Sequence, residues 1–252
     1  MRGLKGTTGI TDMSTALFLE DAYRRTAPGT VVAVTDEGGV VLDQCLFYAT
    51  SGGQPGDRGW LRWDGGEMTV ATTVKGDGGA LVLVPGEGAR VPPVGTVVAQ
   101  EIDWDLRRGH MAIHTALHLL SVVIPLPVTG GSISSAKGRL DFDMEQPPED
   151  KPALEEALNA LVEQDLPVSD TWITETELDA NPGLVKTMSV APPRGAGRVR
   201  LVRIGSGDVT VDLQPCGGTH VARTGEIGRL RLGKIEKKGA RNRRVYLHLA
   251  DS

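Results

Sequence analysis

Two pairs of residues with the spacing of metal ligands lie about a hundred positions apart, and they constrain the fold more than any other feature. His114 and His118 are four positions apart, which on a helix places both imidazoles on one face, within reach of a single ion. Cys216 and His220 flank two glycines that let the backbone turn sharply, so that the thiolate and the imidazole can converge. A thiolate combined with imidazoles suits Zn²⁺. The sequence therefore predicts a fold that joins both pairs around one zinc ion.

The two pairs also allow other interpretations, in which the histidines bind no metal or only some of the four residues bind it. They can be ordinary helix residues, although the chain has only five histidines and three of them belong to these pairs. If all four residues bind, the site is closed and structural, whereas three ligands leave one position for water. Thr115 follows His114 where the zinc-protease motif His-Glu-x-x-His has its glutamate, so protease chemistry is not expected.

Short runs of β-branched residues, separated by Gly, Pro or Asp, indicate a small β-barrel in the first hundred residues. A glycine-rich stretch, Ser51–Gly59, interrupts these runs and is predicted to be a loop. We place the domain boundary near residues 100–104, so that 15–101 form the barrel and 102–252 form a two-layer α+β domain. The runs are Val31–Val34, Val40–Leu42, Met68–Val70, Ala80–Val84 and Thr96–Val98.

Helical periodicity begins after Ile102. Asp103 or Asp105 can cap the N-terminus of a helix that runs to about Val123, before two prolines. The later elements alternate between helices and strands, which favours an α+β class for this half of the chain. They are helices at about Glu149–Glu163 and Thr176–Ala180, and strands at Val199–Ile204, Val209–Leu213, Gly228–Leu232 and Val245–Leu249.

The distribution of charge is compatible with a nucleic-acid partner, although the net charge is −5. The segment Asp141–Asp179 holds thirteen Asp or Glu and one Lys, whereas Arg223–Arg244 holds nine Lys or Arg and two Glu.

No apolar run approaches the ~18 residues that span a bilayer, and two cysteines do not form a disulfide framework. Residues 1–14 lack the apolar stretch of a signal peptide and are predicted to be disordered, so we expect a cytoplasmic protein.

The segments around the two pairs resemble the editing domain of alanyl-tRNA synthetase, to which a domain of threonyl-tRNA synthetase is related. The resemblance rests on His110–Leu120 and Pro215–Val221, and Phe47–Gly59 is similar to the glycine-rich motif that precedes that domain. Because the sequence has no ATP-binding aminoacylation domain, it resembles the free-standing alanyl-tRNA editing proteins of the AlaX type, in the form with an N-terminal barrel. Further similar segments are Gly130–Ile133, Arg139–Asp143, Lys237–Gly239 and Asn242–Arg244.

The resemblance implies an aminoacyl-tRNA deacylase that hydrolyses Ser-tRNA(Ala), and in some cases Gly-tRNA(Ala), in trans. A second hydrolytic site is needed because one pocket discriminates poorly between small side chains. The implied zinc ligands are His114, His118, Cys216 and His220. The ion can activate water, hold the substrate's amino group or fix the pocket, and the ligand set does not separate these roles.

Three further residues are candidates for the catalytic pocket. His110 lies one helical turn before His114 and can act as a base or bind substrate; its alternative is a partly exposed helix residue. Thr129 aligns with a pocket segment, but a local hydrogen bond explains it equally well. Gln214 precedes the cysteine motif and is otherwise an exposed strand residue.

The expected partner is the acceptor end of tRNA(Ala), bound by a monomer. The expected phosphate contacts are Arg58, Lys234, Lys237, Lys238, Arg241, Arg243 and Arg244, with the glycine-rich loop (Gly52, Gly53, Gln54, Gly56) approaching the acceptor stem. The Gly-Gly-Gln triplet also occurs in peptide release factors, but the following Pro55-Gly56-Asp57 departs from that context. Two alternatives to a deacylase are a zinc-stabilised RNA-binding module without catalysis and a metal hydrolase of small esters or amides.

Overall fold

The computed structural model describes residues 14–186 and 197–250. The predicted disorder of residues 1–14 concerns a segment that lies, except for Ser14, outside this range. The chain forms two compact units: Met1–Thr50 with Pro55–Arg107, and Ser51–Gln54 with Arg108–Ser252. Four residues of the glycine-rich stretch thus belong to the second unit. In the residues described, no helix combines the length and apolar character needed to cross a membrane.

Six antiparallel strands of the first unit close into a barrel, which confirms the barrel predicted from the β-branched runs. The described part of this unit contains β1 (Thr15–Ala16), α1 (Leu17–Glu20), β2 (Thr26–Val34), β3 (Val40–Leu42), β4 (Gln44–Cys45), β5 (Gly59–Trp63), β6 (Gly66–Lys75), β7 (Leu81–Pro85) and β8 (Val97–Ile102). The barrel order is β2-β3-β7-β6-β5-β8, and β1 pairs with β4 in parallel. Leu42, Leu61 and Leu83 are among the residues that fill its core.

One barrel strand, β5, is not predicted by the sequence pattern. It begins at Gly59, which we expected to end a loop. A Cβ added at Gly59 would lie 2.1 Å from the carbonyl oxygen of Glu101, so glycine allows β5 and β8 to approach closely. The strand depends on this long-range approach, which a local pattern does not contain.

A buried ion pair joins Arg107 to Asp57 within the first unit. Neither side chain is exposed by more than 1%. The guanidinium Nε of Arg107 lies 3.0 and 2.9 Å from the two carboxylate oxygens, and the same guanidinium donates to the carbonyls of Ala22 and Leu46. The amide of Tyr48 donates to the carboxylate at 2.6 Å. Asp57, the one acidic residue of the glycine-rich stretch, therefore has a structural partner in the barrel unit.

The second unit combines two antiparallel sheets with helices, which confirms the predicted α+β class. Its described helices and strands are α2 (Trp104–Val123, whose first turn belongs to the first unit), β9 (Val128–Ile133), β10 (Lys137–Asp143), α3 (Lys151–Glu163), β11 (Val168–Thr174), α4 (Glu175–Ala180), β12 (Arg198–Ser206), β13 (Val209–Pro215), β14 (Leu230–Gly239) and β15 (Asn242–Leu249). The sheet orders are β14-β15-β10-β9 and β11-β12-β13.

The three predicted helices are confirmed, and a side chain caps each N-terminus. Asp103, one of the two predicted caps, accepts a hydrogen bond from the Leu106 amide at 3.1 Å at the start of α2. Asp150 and Thr174 cap α3 and α4 in the same way. These local signals explain why the helix positions follow from the sequence.

Strands β9, β10 and β11 are absent from the sequence-based prediction. Two glycines, Gly130 and Gly131, weaken the strand signal of β9. Strand β11 is mostly exposed, so it lacks the alternation of buried and exposed residues that identifies a strand. Strand β10 has only Leu140 and Phe142 as large apolar residues. Pairing with neighbouring strands, rather than local composition, establishes these elements.

Candidate metal centre

The structure brings together the two residue pairs that the sequence separates. The ligand atoms of His114, His118, Cys216 and His220 all lie within 4.8 Å of one another. Cys216 Sγ is 3.4 Å from His114 Nε2 and 3.3 Å from His220 Nε2. Ligands about 2.3 Å (sulfur) and 2.0 Å (nitrogen) from a tetrahedral zinc ion are separated by about 3.6 Å, so the two distances from Cys216 Sγ are close to those of such a site.

Each of the three imidazoles is held by a different acceptor at its Nδ1 atom. His114 Nδ1 is 2.9 Å from Gln54 Oε1, and His118 Nδ1 is 2.8 Å from Asp212 Oδ2. His220 Nδ1 is 3.1 Å from Thr115 Oγ1, whose own hydroxyl donates to a backbone carbonyl of α2.

This arrangement is the one that a metal site requires. When Nδ1 carries the proton and donates it to an outer partner, the lone pair of Nε2 is available to bind a metal. In the neutral form of each ring, an amide, a carboxylate and a hydroxyl therefore favour the same tautomer. The donor set of three imidazoles and one thiol, oriented in this way, fits Zn²⁺.

The ionisable groups of the cluster shift one another's pKa strongly. Burial raises the pKa of Cys216, but His114 and His220 outweigh it and hold that pKa well below its usual range. Burial opposes protonation of His118, yet Asp212 and Cys216 raise its pKa to about 9. Burial and the charge of His114 lower the pKa of His220 to about 3. A thiolate at Cys216, the form that binds metal, is favoured by this environment.

The turn that carries Cys216 and His220 is fixed by Arg200, a residue that our sequence analysis did not identify. Arg200 Nη1 donates to the carbonyl of Cys216 at 3.2 Å and to that of Gly218 at 2.9 Å. The Cys216 amide in turn donates to the carbonyl of Arg200 at 3.1 Å. The regular pairing of β13 with β12 ends at Pro215. Beyond that residue, the hydrogen bonds of Arg200 hold the turn to β12.

The two glycines of this turn have different roles, which gives a testable prediction. A Cβ at Gly218 would lie 2.1 Å from His114 Cε1, whereas a Cβ at Gly217 would meet nothing within 4 Å. We expect Gly218→Ala to displace the His114 ring and to weaken zinc affinity about tenfold or more, with Gly217→Ala as the matched control. Competition with a chromophoric chelator measures both. Equal zinc affinities for the two variants would contradict this prediction.

Asp212 lies at the centre of a second set of contacts behind His118. Its second carboxylate oxygen, Oδ1, is 2.5 Å from Lys186 Nζ. Burial raises the pKa of Asp212, but His118 and Lys186 outweigh it and hold the pKa below its usual range. Gln214 Nε2 donates to Asp212 Oδ2 at 2.8 Å and lies 3.1 Å from His118 Nδ1. Asp212 therefore remains an anion that can orient His118.

Alternation along β13 could have revealed Asp212. Asp212 and Gln214 are both buried, two positions apart on one face of a strand that leads directly to Cys216. A carboxylate on the buried face of that strand is a signal for an outer-shell partner. The structure also shows that Gln214 is a buried residue beside a proposed ligand, and its alternative as an exposed strand residue is wrong.

The other two predicted pocket residues, His110 and Thr129, differ from each other in their surroundings. His110 is 2% exposed, so its alternative as a partly exposed helix residue is also wrong. Thr129 Oγ1 donates to the carbonyl of Asp141 at 3.1 Å and accepts from Asn242 Nδ2 at 2.7 Å. These are the local hydrogen bonds that we considered as the alternative explanation of Thr129.

The basic segment after residue 223 contains several internally paired cations. Arg243 is buried and donates to the carbonyls of Gly239, Asn242 and Glu145, so it stabilises the β14–β15 hairpin. Arg244 forms a two-pronged ion pair with Asp141. The remaining predicted contacts are exposed: Lys234, Lys237, Lys238 and Arg241 in the second unit, and Arg58 in the first. Lys234 and Lys238 pair with Glu236, and Arg241 pairs with Asp143.

The chain matches two protein families, one in each half of the chain. Residues 199–246 match the family described as Threonyl and Alanyl tRNA synthetase second additional domain, and residues 12–106 match tRNA synthetases class II (A).

The relatives define the family more narrowly. The chain is 34% identical to the alanyl-tRNA editing protein AlaX-M of Methanosarcina acetivorans and 35% identical to that of Methanosarcina barkeri, in each case over 95% of this chain and 100% of the relative. It is 37% identical to the alanine–tRNA ligase of Pyrobaculum calidifontis over 88% of this chain, but it spans only 25% of that ligase. The chain belongs to the AlaX-M family of alanyl-tRNA editing proteins, which confirms the resemblance found in its motifs.

Proposed function

We propose that this protein hydrolyses the ester bond of Ser-tRNA(Ala), and of Gly-tRNA(Ala) where that error occurs, in trans. The observation that carries the proposal is the buried Cys/His cluster in which each imidazole has an outer partner at Nδ1. Zn²⁺ would be held by His114, His118, Cys216 and His220. Full-length similarity to AlaX-M proteins supports the choice of an alanine tRNA as partner.

The chain's own residues prepare the site for ester hydrolysis. When bound, zinc would fix the pocket and add positive charge beside its four ligands. Gln54, Asp212 and Thr115 keep the Nε2 atoms turned inward, and burial of the rings limits access of bulk water. Preorganised groups of this kind need no rearrangement during the reaction, which is a main source of catalytic rate.

The three candidate pocket residues receive unequal support from the geometry. Gln214 has the most, because its amide contacts both His118 and Asp212. His110 is buried one turn from His114, and we propose it, or the free hydroxyl of the terminal ribose, as the proton acceptor during attack of water. Thr129 has the least, since its hydroxyl is engaged by the sheet.

A comparison of three substrates tests the proposed function. We expect hydrolysis of Ser-tRNA(Ala), slower or comparable hydrolysis of Gly-tRNA(Ala), and little hydrolysis of Ala-tRNA(Ala), with loss of activity after chelation. Binding of tRNA without turnover would instead favour an RNA-binding module. Hydrolysis of free amino-acid esters without regard to tRNA would favour a small-ester hydrolase.

The exposed cations predict a salt-dependent interaction with the acceptor end. Lys237 and Lys238 are exposed on β14, near the turn to β15. We expect replacing both with alanine to weaken tRNA binding and to reduce the slope of log affinity against log salt by about 1 for each phosphate that is no longer neutralised. Lys151→Ala, an exposed lysine in the acidic segment, is the matched control. An unchanged salt slope in the double variant would show that these two lysines do not contact tRNA phosphates.

A further inference from the structure

We infer that Gln54 is a positioning residue that fixes the His114 ring as a metal ligand through its side-chain carbonyl oxygen. Gln54 is the last residue of the Gly-Gly-Gln triplet, and its side chain is completely buried in the second unit. This role goes beyond the proposed function in assigning the glycine-rich motif to the metal centre. It rests on the proposed zinc site, and the experiment below separates the two.

The hydrogen bonds around Gln54 determine which atom faces His114. The Thr219 backbone N–H, which can only donate, lies 3.2 Å from Gln54 Oε1. The same Oε1 is 2.9 Å from His114 Nδ1, so this ring nitrogen must be the donor. Gln54 Nε2 donates to Thr219 Oγ1 at 2.8 Å, which fixes the amide's orientation. The lone pair of His114 is then on Nε2, the atom 3.4 Å from Cys216 Sγ.

The glycines before Gln54 attach the loop to the sheet that bears β9. The Ile133 amide donates to the carbonyl of Gly53 at 2.9 Å. Gly53 has a φ of +85°, and a Cβ there would lie 2.8 Å from the carbonyl oxygen of Gly131. Ser51 and Gln54 exchange two backbone hydrogen bonds, of 3.1 and 2.9 Å, that close the turn. The backbone of Gln54 is therefore held on both sides.

This geometry gives the Gly-Gly-Gln triplet a different role from the one that its sequence suggests. The expectation that the loop approaches the acceptor stem stays a prediction for its exposed glycines, Gly52 and Gly53. The amide of Gln54 itself makes three contacts with protein groups and has no exposed surface. Gly52 and Gly53 remain exposed, while the glutamine faces inward.

Zinc affinity of the full-length protein tests this inference without using deacylation. Gln54→Leu removes the acceptor at similar volume and is expected to weaken zinc affinity 10- to 100-fold. Gln54→Glu keeps an acceptor for both His114 Nδ1 and the Thr219 amide, and we expect it to restore most of the affinity. Gln100→Leu is the matched control, because Gln100 is an equally buried glutamine whose side chain bonds backbone groups of the first unit, at Leu46, Pro28 and Gln44.

Affinity is measured by competition with a chromophoric chelator, and the stability of each zinc-free variant by urea unfolding. The inference predicts weak zinc binding by Gln54→Leu, recovery in Gln54→Glu, and wild-type affinity in Gln100→Leu even if that variant is less stable. Wild-type affinity in Gln54→Leu, or equally weak binding in Gln54→Glu, would overturn it while leaving the proposed zinc site intact. Failure of the wild-type protein to bind zinc would overturn both.

Discussion

Replacing Cys216 with alanine is expected to abolish stoichiometric zinc binding and to slow Ser-tRNA(Ala) hydrolysis by more than about a hundredfold. Cys216 is the only sulfur donor in the cluster, and its Sγ contacts the Nε2 atoms of His114 and His220. Loss of the thiolate leaves three neutral donors and removes the negative charge that attracts the cation. Losing the ion removes both its positive charge and the order that it imposes on three histidines, and a loss of several kcal/mol in transition-state stabilisation corresponds to a factor of this size.

Cys45→Ala is the matched control for that experiment. Cys45 is the other cysteine, completely buried in the barrel core, and burial raises its pKa to about 12. It therefore stays a thiol and a poor metal ligand, so its loss should leave the zinc content and the rate of hydrolysis unchanged. Metal analysis and single-turnover deacylation of both variants give the comparison. One zinc ion and the full rate in Cys216→Ala would contradict the proposed ligand set.

The second large effect is expected on stability. We expect Arg107→Met to lower the free energy of unfolding by about 3–5 kcal/mol, because it leaves Asp57 as a buried and unpaired charge. The substitution also frees the carbonyls of Ala22 and Leu46, which Arg107 satisfies. Urea unfolding followed by circular dichroism measures the change.

Two variants complete the stability experiment. Arg108→Met alters the next residue of the same helix, where the side chain is exposed, and should change stability by no more than about 0.5 kcal/mol. Arg107→Met combined with Asp57→Asn should be more stable than Arg107→Met alone, since no unpaired charge remains. A double variant as unstable as the single one would show that poorer packing, rather than charge, causes the effect.

The proposed zinc ligands could be predicted from the sequence because their chemistry is local. Four-residue spacing on a helix, and two glycines between Cys216 and His220, are visible without knowledge of the fold. The helices were predictable for the same reason: Asp103 and Asp150 cap them within a few residues of their own positions. Five of the six barrel strands followed from runs of β-branched residues, which need no distant partner to be recognised.

The partners behind the ligands could not be predicted because each acts across a long stretch of chain. Gln54 contacts His114 and Thr219, which are 60 and 165 positions away, and Asp212 contacts His118 across 94 positions. No spacing rule connects such residues. The sequence shows the glycine-rich motif, but the inward orientation of Gln54 depends on the position of β9 beside Gly53, which the sequence does not show.

Charge patterns predicted the basic surface only in outline. The segment after residue 223 is basic in the sequence. In the fold, however, Arg243 is buried and donates hydrogen bonds to backbone carbonyls, and Arg244 forms an ion pair with Asp141. Asp141 belongs to the acidic segment, and the antiparallel pairing of β10 with β15 brings the two opposite charges together. Strand register therefore decides which cations remain exposed, and Lys237 is one of those that do.

Reconstitution with zinc tests the proposed centre most directly. The purified protein is stripped of metal, and the rate of Ser-tRNA(Ala) deacylation is measured as zinc is added in fractions of an equivalent. We expect a negligible rate without metal and a linear rise that ends at one zinc ion per chain, because four protein donors enclose a single site. A full rate in the metal-free protein, or a rate that does not respond to one equivalent of zinc, would contradict a zinc-dependent editing centre.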